Sequence, residues 1–184
     1  MDSQVERKDT HVTNVETPTN VEAKAEPAID QTQAPAEEIR GVQHYLAPIV
    51  WDLQALAISG KQAHWHVRGE NFIAVHELLD DIVDHAREYA DLAAERTVAL
   101  GLPIDARLQT IAANSTLPPQ QEGFQNYGPT VQQVVADMDA AVATVRKAVE
   151  ALEEIDPNSQ DVATEIERGL VKDRWFLSAH LATD

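Results

Sequence analysis

Five side chains within 36 residues, from Lys61 to Arg96, could together hold a transition metal: His64, His76, Asp80, Asp91 and Glu95. Imidazole nitrogen combined with hard carboxylate oxygen suits iron, an ion that must exist as both Fe(II) and Fe(III). His76–Asp80 and Asp91–Glu95 are each spaced i,i+4, so each pair shares one helix face. The eleven residues from Asp80 to Asp91 turn through about 1100° at roughly 100° each, about 20° from a whole number of turns. All four side chains therefore fall on one stripe. At about 1.5 Å rise per residue, the centres of the two pairs lie roughly 22 Å apart along the axis. One straight helix cannot bring both pairs to one ion. An antiparallel copy, related by a two-fold axis near His85 and Ala86, sets His76–Asp80 of one chain opposite Asp91–Glu95 of the other. The pattern predicts an isologous dimer with two shared sites. Asp80 and Asp91 also stand among apolar residues. A buried carboxylate there is costly unless a metal or hydrogen bonds satisfy it.

His64 joins through the turn that must position it. Val67-Arg68-Gly69-Glu70-Asn71 reads as a tight break between helices, with Gly69 suited to a helix C′ position and Asn71 to the next N-cap. His64 and His76 are each six residues from Glu70, so an antiparallel hairpin brings them to one height. The predicted site is His64, His76 and Asp80 of one subunit with Asp91 and Glu95 of its partner.

The surrounding pattern is helical throughout. Ile39, Val42, Leu46, Val50, Leu53 and Leu56 recur at spacings of three and four, predicting a helix from Glu37 to His66 or Val67. Pro48 inside it either bends it or marks a first-turn start. A second helix is expected over 72–100, stopped by Gly101-Leu102-Pro103. Residues 102–129, with four prolines and two glycines, read as a long crossover with one short helix at about 105–113. A third helix is expected over 130–155, with Val131, Val134, Val135, Met138, Val142, Val145 and Val149 as its apolar stripe. The break Asp156-Pro157-Asn158-Ser159 leads to a fourth over 159–181. No run shows strand alternation with hairpin turns. Two long helices, a crossover and two more make an all-α, ferritin-like four-helix bundle. Residues 1–36 have no aromatic residue and no helical period, and read as a flexible tail ahead of a bundle domain over 37–184.

Composition narrows the functional classes. At 184 residues the chain can bury one substantial core. It has no cysteine, so disulfides are excluded and nothing points to an oxidising compartment. No apolar run reaches membrane-spanning length and no signal-peptide pattern opens the chain, so a cytoplasmic protein with no membrane partner is expected. The net charge of −17 disfavours passive attraction to nucleic acid. It is compatible with gathering cations, or simply with solubility. Bundles that bind two irons within one subunit use Glu-x-x-His pairs. No Glu here has a His three residues later, which leaves the shared site.

The Lys61–Arg96 segment resembles the Dps family (DNA-binding protein from starved cells), a branch of the ferritin-like superfamily. The matching stretches are Ala63-His64-Trp65, Gly69-x-Asn71-Phe72, His76-Glu77-x-Leu79-Asp80-Asp81 and Asp91-x-x-Ala94-Glu95-Arg96. A weaker match follows at Asp173-Arg174-Trp175-Phe176, and the resemblance runs from about residue 37 to the C-terminus. It implies a four-helix subunit, a hollow dodecamer and a ferroxidase that oxidises Fe(II), usually with hydrogen peroxide, dioxygen being the other candidate oxidant. Ferric mineral would be stored inside. The family's inter-subunit ligands fall on the same five residues that the spacing selects.

The resemblance also implies that Trp65 lies near the iron and intercepts oxidising equivalents; plain packing at a subunit contact is the alternative. Lys61, one turn before His64, is placed to pair with a carboxylate. His44, His66, His85 and His180 read as surface, interface or core residues rather than ligands. By resemblance, acidic residues at the start of the last helix line an iron-uptake pore, here Asp156, Asp161 and Glu165; ordinary complementation of the helix dipole competes with that reading. Some members condense DNA through lysine-rich tails. The first 36 residues here hold three basic residues against seven acidic ones, and the chain ends Ala182-Thr183-Asp184. DNA binding, which needs cations against phosphate, is therefore not expected.

Overall fold

The computed structural model describes residues 34–182. Most of the expected tail, residues 1–33, lies outside the described residues. Five helices and one small ladder follow in the order α1 (Ala36–His66), β1 (Val67–Arg68), α2 (Phe72–Ala99), α3 (Leu108–Asn114), β2 (Gln125–Asn126), α4 (Tyr127–Leu152) and α5 (Pro157–Ser178). A 3-10 turn over Ala179–Leu181 closes them. α1 packs on α2 and α4, and α5 on α4 and α2, which closes a four-helix ring. Leu46, Leu53 and Leu56 of α1, Leu79 and Ile82 of α2, Met138 of α4, and Ile166 and Leu170 of α5 fill its centre.

The two-residue strands fix the topology. β1 leaves α1, β2 enters α4, and they pair in parallel with Val67 opposite Gln125. α4 therefore starts at the end of the bundle where α1 finishes, which is also where α2 starts. The crossover must return the full length of the bundle, giving the up-down-down-up arrangement of the ferritin-like fold. This ladder has no counterpart in the sequence pattern, because two residues carry no alternation to detect.

Boundaries differ from the sequence expectations by a few residues, for local reasons. α5 begins at Pro157 because Asp156 is its N-cap and accepts from the Asn158 amide at 3.2 Å; a proline at the first position loses no helical bond. α4 begins at Tyr127, which places Pro129 in the first turn, where its missing N–H is harmless. Pro48 lies well inside a continuous α1 and marks no start. α2 stops as expected. Gly101 has φ +87°, its amide donates to Val98 at 2.8 Å, and the Leu102 amide donates to Thr97 at 3.3 Å, a Schellman closure. At the first turn, Gly69 takes φ +105° but sits one residue beyond the expected C′ position, after Val67 as the C-cap. Asn71 precedes α2 without a side-chain capping bond.

Buried polar residues stitch the crossover down. Asp52 accepts from the Thr116 amide (2.7 Å), Thr116 Oγ1 (2.8 Å), Ser115 Oγ (3.1 Å) and Thr144 Oγ1 (2.7 Å). Trp51 Nε1 donates to the Asp105 carbonyl at 2.8 Å.

Candidate metal centre

The α1–α2 turn brings His64 and His76 face to face. Their rings stack with centroids 3.6 Å apart and planes 20° apart. The His64 Nδ1–H donates to the His76 carbonyl at 2.8 Å, and the His76 Nδ1–H donates to the His64 carbonyl at 2.9 Å. Backbone carbonyls only accept, so both Nδ1 atoms carry hydrogen and each neutral ring keeps its lone pair on Nε2. This outer bond is the usual device that fixes the tautomer of a metal-ligating histidine. The equal offsets of the two histidines from Glu70 are borne out as a geometric pairing.

Asp80 lies one turn of α2 beyond His76. Its Oδ1 takes a close hydrogen bond from the Lys61 ammonium and stands 3.4 Å from His64 Nδ1. Lys61 is the main reason that the Asp80 carboxyl sits below the ordinary carboxylate value; slight burial opposes this, and the neighbouring imidazoles add to it. Asp80 is thus an ionised acceptor at neutral pH.

Asp91 and Glu95 continue the same stripe of α2, and both are exposed. Neither carboxylate makes a hydrogen bond or ion pair with another described residue. Among the described residues, no three His, Asp or Glu side chains of one subunit converge to hold a metal ion. One chain therefore presents two incomplete groups, roughly 22 Å apart by helical rise.

The expectation that Asp80 and Asp91 lie buried among apolar residues does not hold within the subunit. The Asp80 side chain is 44% exposed, and Asp91 is exposed too. Their apolar neighbours Leu79, Val83, Ala90 and Ala93 are buried on a different side of α2, against the bundle. Adjacent residues on a helix point in different directions.

Uncovered apolar side chains border this stripe. Trp65, next to His64, is 65% exposed, and Ile73 and Val98 lie toward the two ends of α2; all are exposed. Of the proposed pore residues, Asp161 and Glu165 present their carboxylates at the surface. Asp156 is turned inward: it accepts from Ser159 Oγ at 2.5 Å and Arg96 at 2.5 Å, besides capping α5. Burial alone would raise its carboxyl, but the Ser159 and Arg96 hydrogen bonds and the guanidinium charge hold it below the ordinary value.

His85, beside the expected two-fold axis, donates from Nδ1 to Asp173 of α5 at 3.0 Å within its own subunit. Burial raises the Asp173 carboxyl, partly offset by His85. His66 packs edge-on against Phe124, and His44 against Tyr45. Sequence reasoning missed the buried carboxylates Asp52 and Asp137 and the Arg96–Asp156 pair. Their partners lie 60 or more residues away in most cases; the local signals are the Asp156-Pro157 cap and the i,i+4 spacing of Gln133 and Asp137.

Comparison with known proteins agrees with this fold. Residues 45–184 match the profile of the ferritin-like domain. The chain is 34% identical over 127 residues to the DNA protection during starvation protein of Agrobacterium fabrum, covering 68% of this chain and 78% of that one. It is 31% identical over 148 residues to DNA protection during starvation protein 2 of Deinococcus radiodurans, covering 80% of this chain but only 61% of that protein's length. Among solved structures, Dps from Microbacterium arborescens in its high iron form aligns with a TM-score of 0.77 and 51% identity, over 82% of this chain and 98% of that one. The stacked histidines, the bundle topology and these likenesses together mean that this chain belongs to the Dps family of ferritin-like proteins.

Proposed function

We propose that this protein is a ferroxidase and iron store whose oxidation sites are shared between two-fold-related subunits. The observation that carries this reading is the His64–His76 pair, with both Nδ1 atoms engaged and both Nε2 atoms left for a metal. Asp80 of the same subunit, with Asp91 and Glu95 of the partner, completes the ligand set for the iron substrate. The exposed and unpartnered acids on the same α2 stripe and the bare Trp65, Ile73 and Val98 near it are what a covering second subunit would use.

Two Fe(II) ions each give up one electron, and hydrogen peroxide takes both, with two protons, to form two waters. Dioxygen is the alternative oxidant. The carboxylates favour the more highly charged ferric product. Trp65, exposed beside His64, serves as a sacrificial electron donor near the iron. Iron passes to the shell interior along a pore in which Asp161 and Glu165 carry the charge. The assembly is a dodecamer of two-fold dimers, built from a bundle domain over residues 37–184 behind an N-terminal tail, and it works in the cytoplasm. No helix among the described residues is long and apolar enough to cross a membrane. Direct DNA binding is not part of this function, given the charge of −17.

The test is anaerobic titration of the purified protein with Fe(II), followed by hydrogen peroxide, with native mass measurement before and after. A closed oligomer that loads iron and turns it ferric at two Fe(II) per peroxide supports the reading. A monomer at micromolar concentration, or oxidation no faster than in buffer, refutes it.

A further inference from the structure

Asp137 is fully buried in α4, and the metal chemistry makes no use of it. Three elements supply its partners. Gln120 Nε2 of the crossover donates to both of its oxygens, at 2.8 and 3.0 Å. Gln133 Nε2 of α4 donates at 3.1 Å and Ser59 Oγ of α1 at 3.3 Å. Every one of these donors is neutral. No charged group contributes to the carboxyl's shift from α1, the crossover or α4. His66 is the titratable group lining the small adjoining cavity of about 30 Å³, whose walls include Gln62, Gln120, Gln125 and Gln133. Glu122, on the crossover, is exposed.

The position of this cluster matters because the crossover has two buried side-chain anchors. Asp52 holds Ser115 and Thr116. Asp137 holds Gln120, and from there the chain runs as a strap over residues 120–125 to the β2 ladder beside the end of α1. We propose that Asp137, buried beneath Gln120, is a proton-sensitive clasp: it fastens the 120–125 strap in mild acid and lets it open more often as the pH rises toward neutrality.

The direction follows from linkage. Burial pushes the Asp137 carboxyl up to about 6, against hydrogen bonds from Gln133, Gln120 and Ser59 that lower it. When the strap lifts and water reaches the group, its affinity for the proton falls to that of an ordinary carboxyl, 3.8. The closed form therefore binds the proton more tightly, and opening is favoured where the proton is lost. Between those two values the opening equilibrium rises with pH, and it levels off above about 7. From pH 5 to pH 8 the increase is about tenfold.

The experiment is amide hydrogen exchange read by mass spectrometry on the assembled protein from pH 5 to pH 8, corrected for the intrinsic pH dependence of exchange. In the wild type, the opening constant of the peptide covering 120–125 should rise about tenfold, while that of Ser115–Thr116 stays level. Asp137→Asn, which keeps the shape and removes the charge, should abolish the rise. Gln120→Ala should raise exchange at every pH and flatten the profile. If an Asp137→Asn chain fails to fold, the wild-type and Gln120→Ala profiles decide the matter. A flat wild-type profile overturns the clasp, as does a rise shared equally by Ser115–Thr116 or one retained in Asp137→Asn.

Discussion

Mixing two dead variants tests the sharing of the metal site directly. Asp80→Ala removes a ligand from the imidazole side and Glu95→Ala one from the far group. Both positions lie on α2, fifteen residues and roughly 22 Å apart by helical rise, so neither can compensate for the other within one chain. The fold should survive each change. The Lys61–Asp80 pair is partly solvent-exposed, at 29% and 44%, so losing it costs about 1 kcal/mol or less. Glu95 is exposed, so its loss costs about 0.5 kcal/mol or less. Each homodimer, however, has both sites damaged. In a mixed dimer, one site draws Asp80 from the Glu95→Ala chain and Glu95 from the Asp80→Ala chain, and is fully wild type. The other site has lost both ligands. Random pairing makes about half the dimers mixed, each with one good site of two, so about a quarter of wild-type activity returns if sites act independently. The assay is the initial rate of ferric absorbance after the chains are unfolded and refolded together, with mass tags verifying mixed assemblies. Verified mixed assemblies as inactive as either parent would refute the inter-subunit site.

The other predictions concern the frame and its surface. Arg96→Ala strands the inward-facing Asp156 carboxylate and should cost about 2–4 kcal/mol by chemical denaturation. Because Asp156 is held below its ordinary value of 3.8, the wild-type anchor acts above that pH and is lost as pH falls further, so the gap between the two proteins should narrow in acid. Gly169→Ala would drive a methyl group into the hydroxyl and ring of Tyr89, and should lower thermal stability by about 1–3 kcal/mol; Tyr89→Leu in the same chain should recover part of that. DNA should show no mobility shift at near-physiological salt and neutral pH; a shift that weakens steeply with added salt would overturn the charge argument.

The sequence by itself determined the helices, their order and the stripe that carries the candidate ligands, because these depend on periodicities that a helix imposes locally. The i,i+4 pairs, the Gly101 stop and the equal offsets of His64 and His76 from Glu70 were all legible without coordinates. The parallel β1–β2 contact, the Asp52 and Asp137 anchors and the inward turn of Asp156 were not. Each joins segments 17 to 92 residues apart, and hydrogen bonding across such a gap leaves no periodic trace along the chain. Burial was also misjudged where it depended on direction: Asp80 and Asp91 have apolar neighbours in sequence, yet those neighbours face the core while the carboxylates face outward. Only the packed bundle decides which side of α2 is inside, since that is settled by where α1 and α5 bury their own apolar faces.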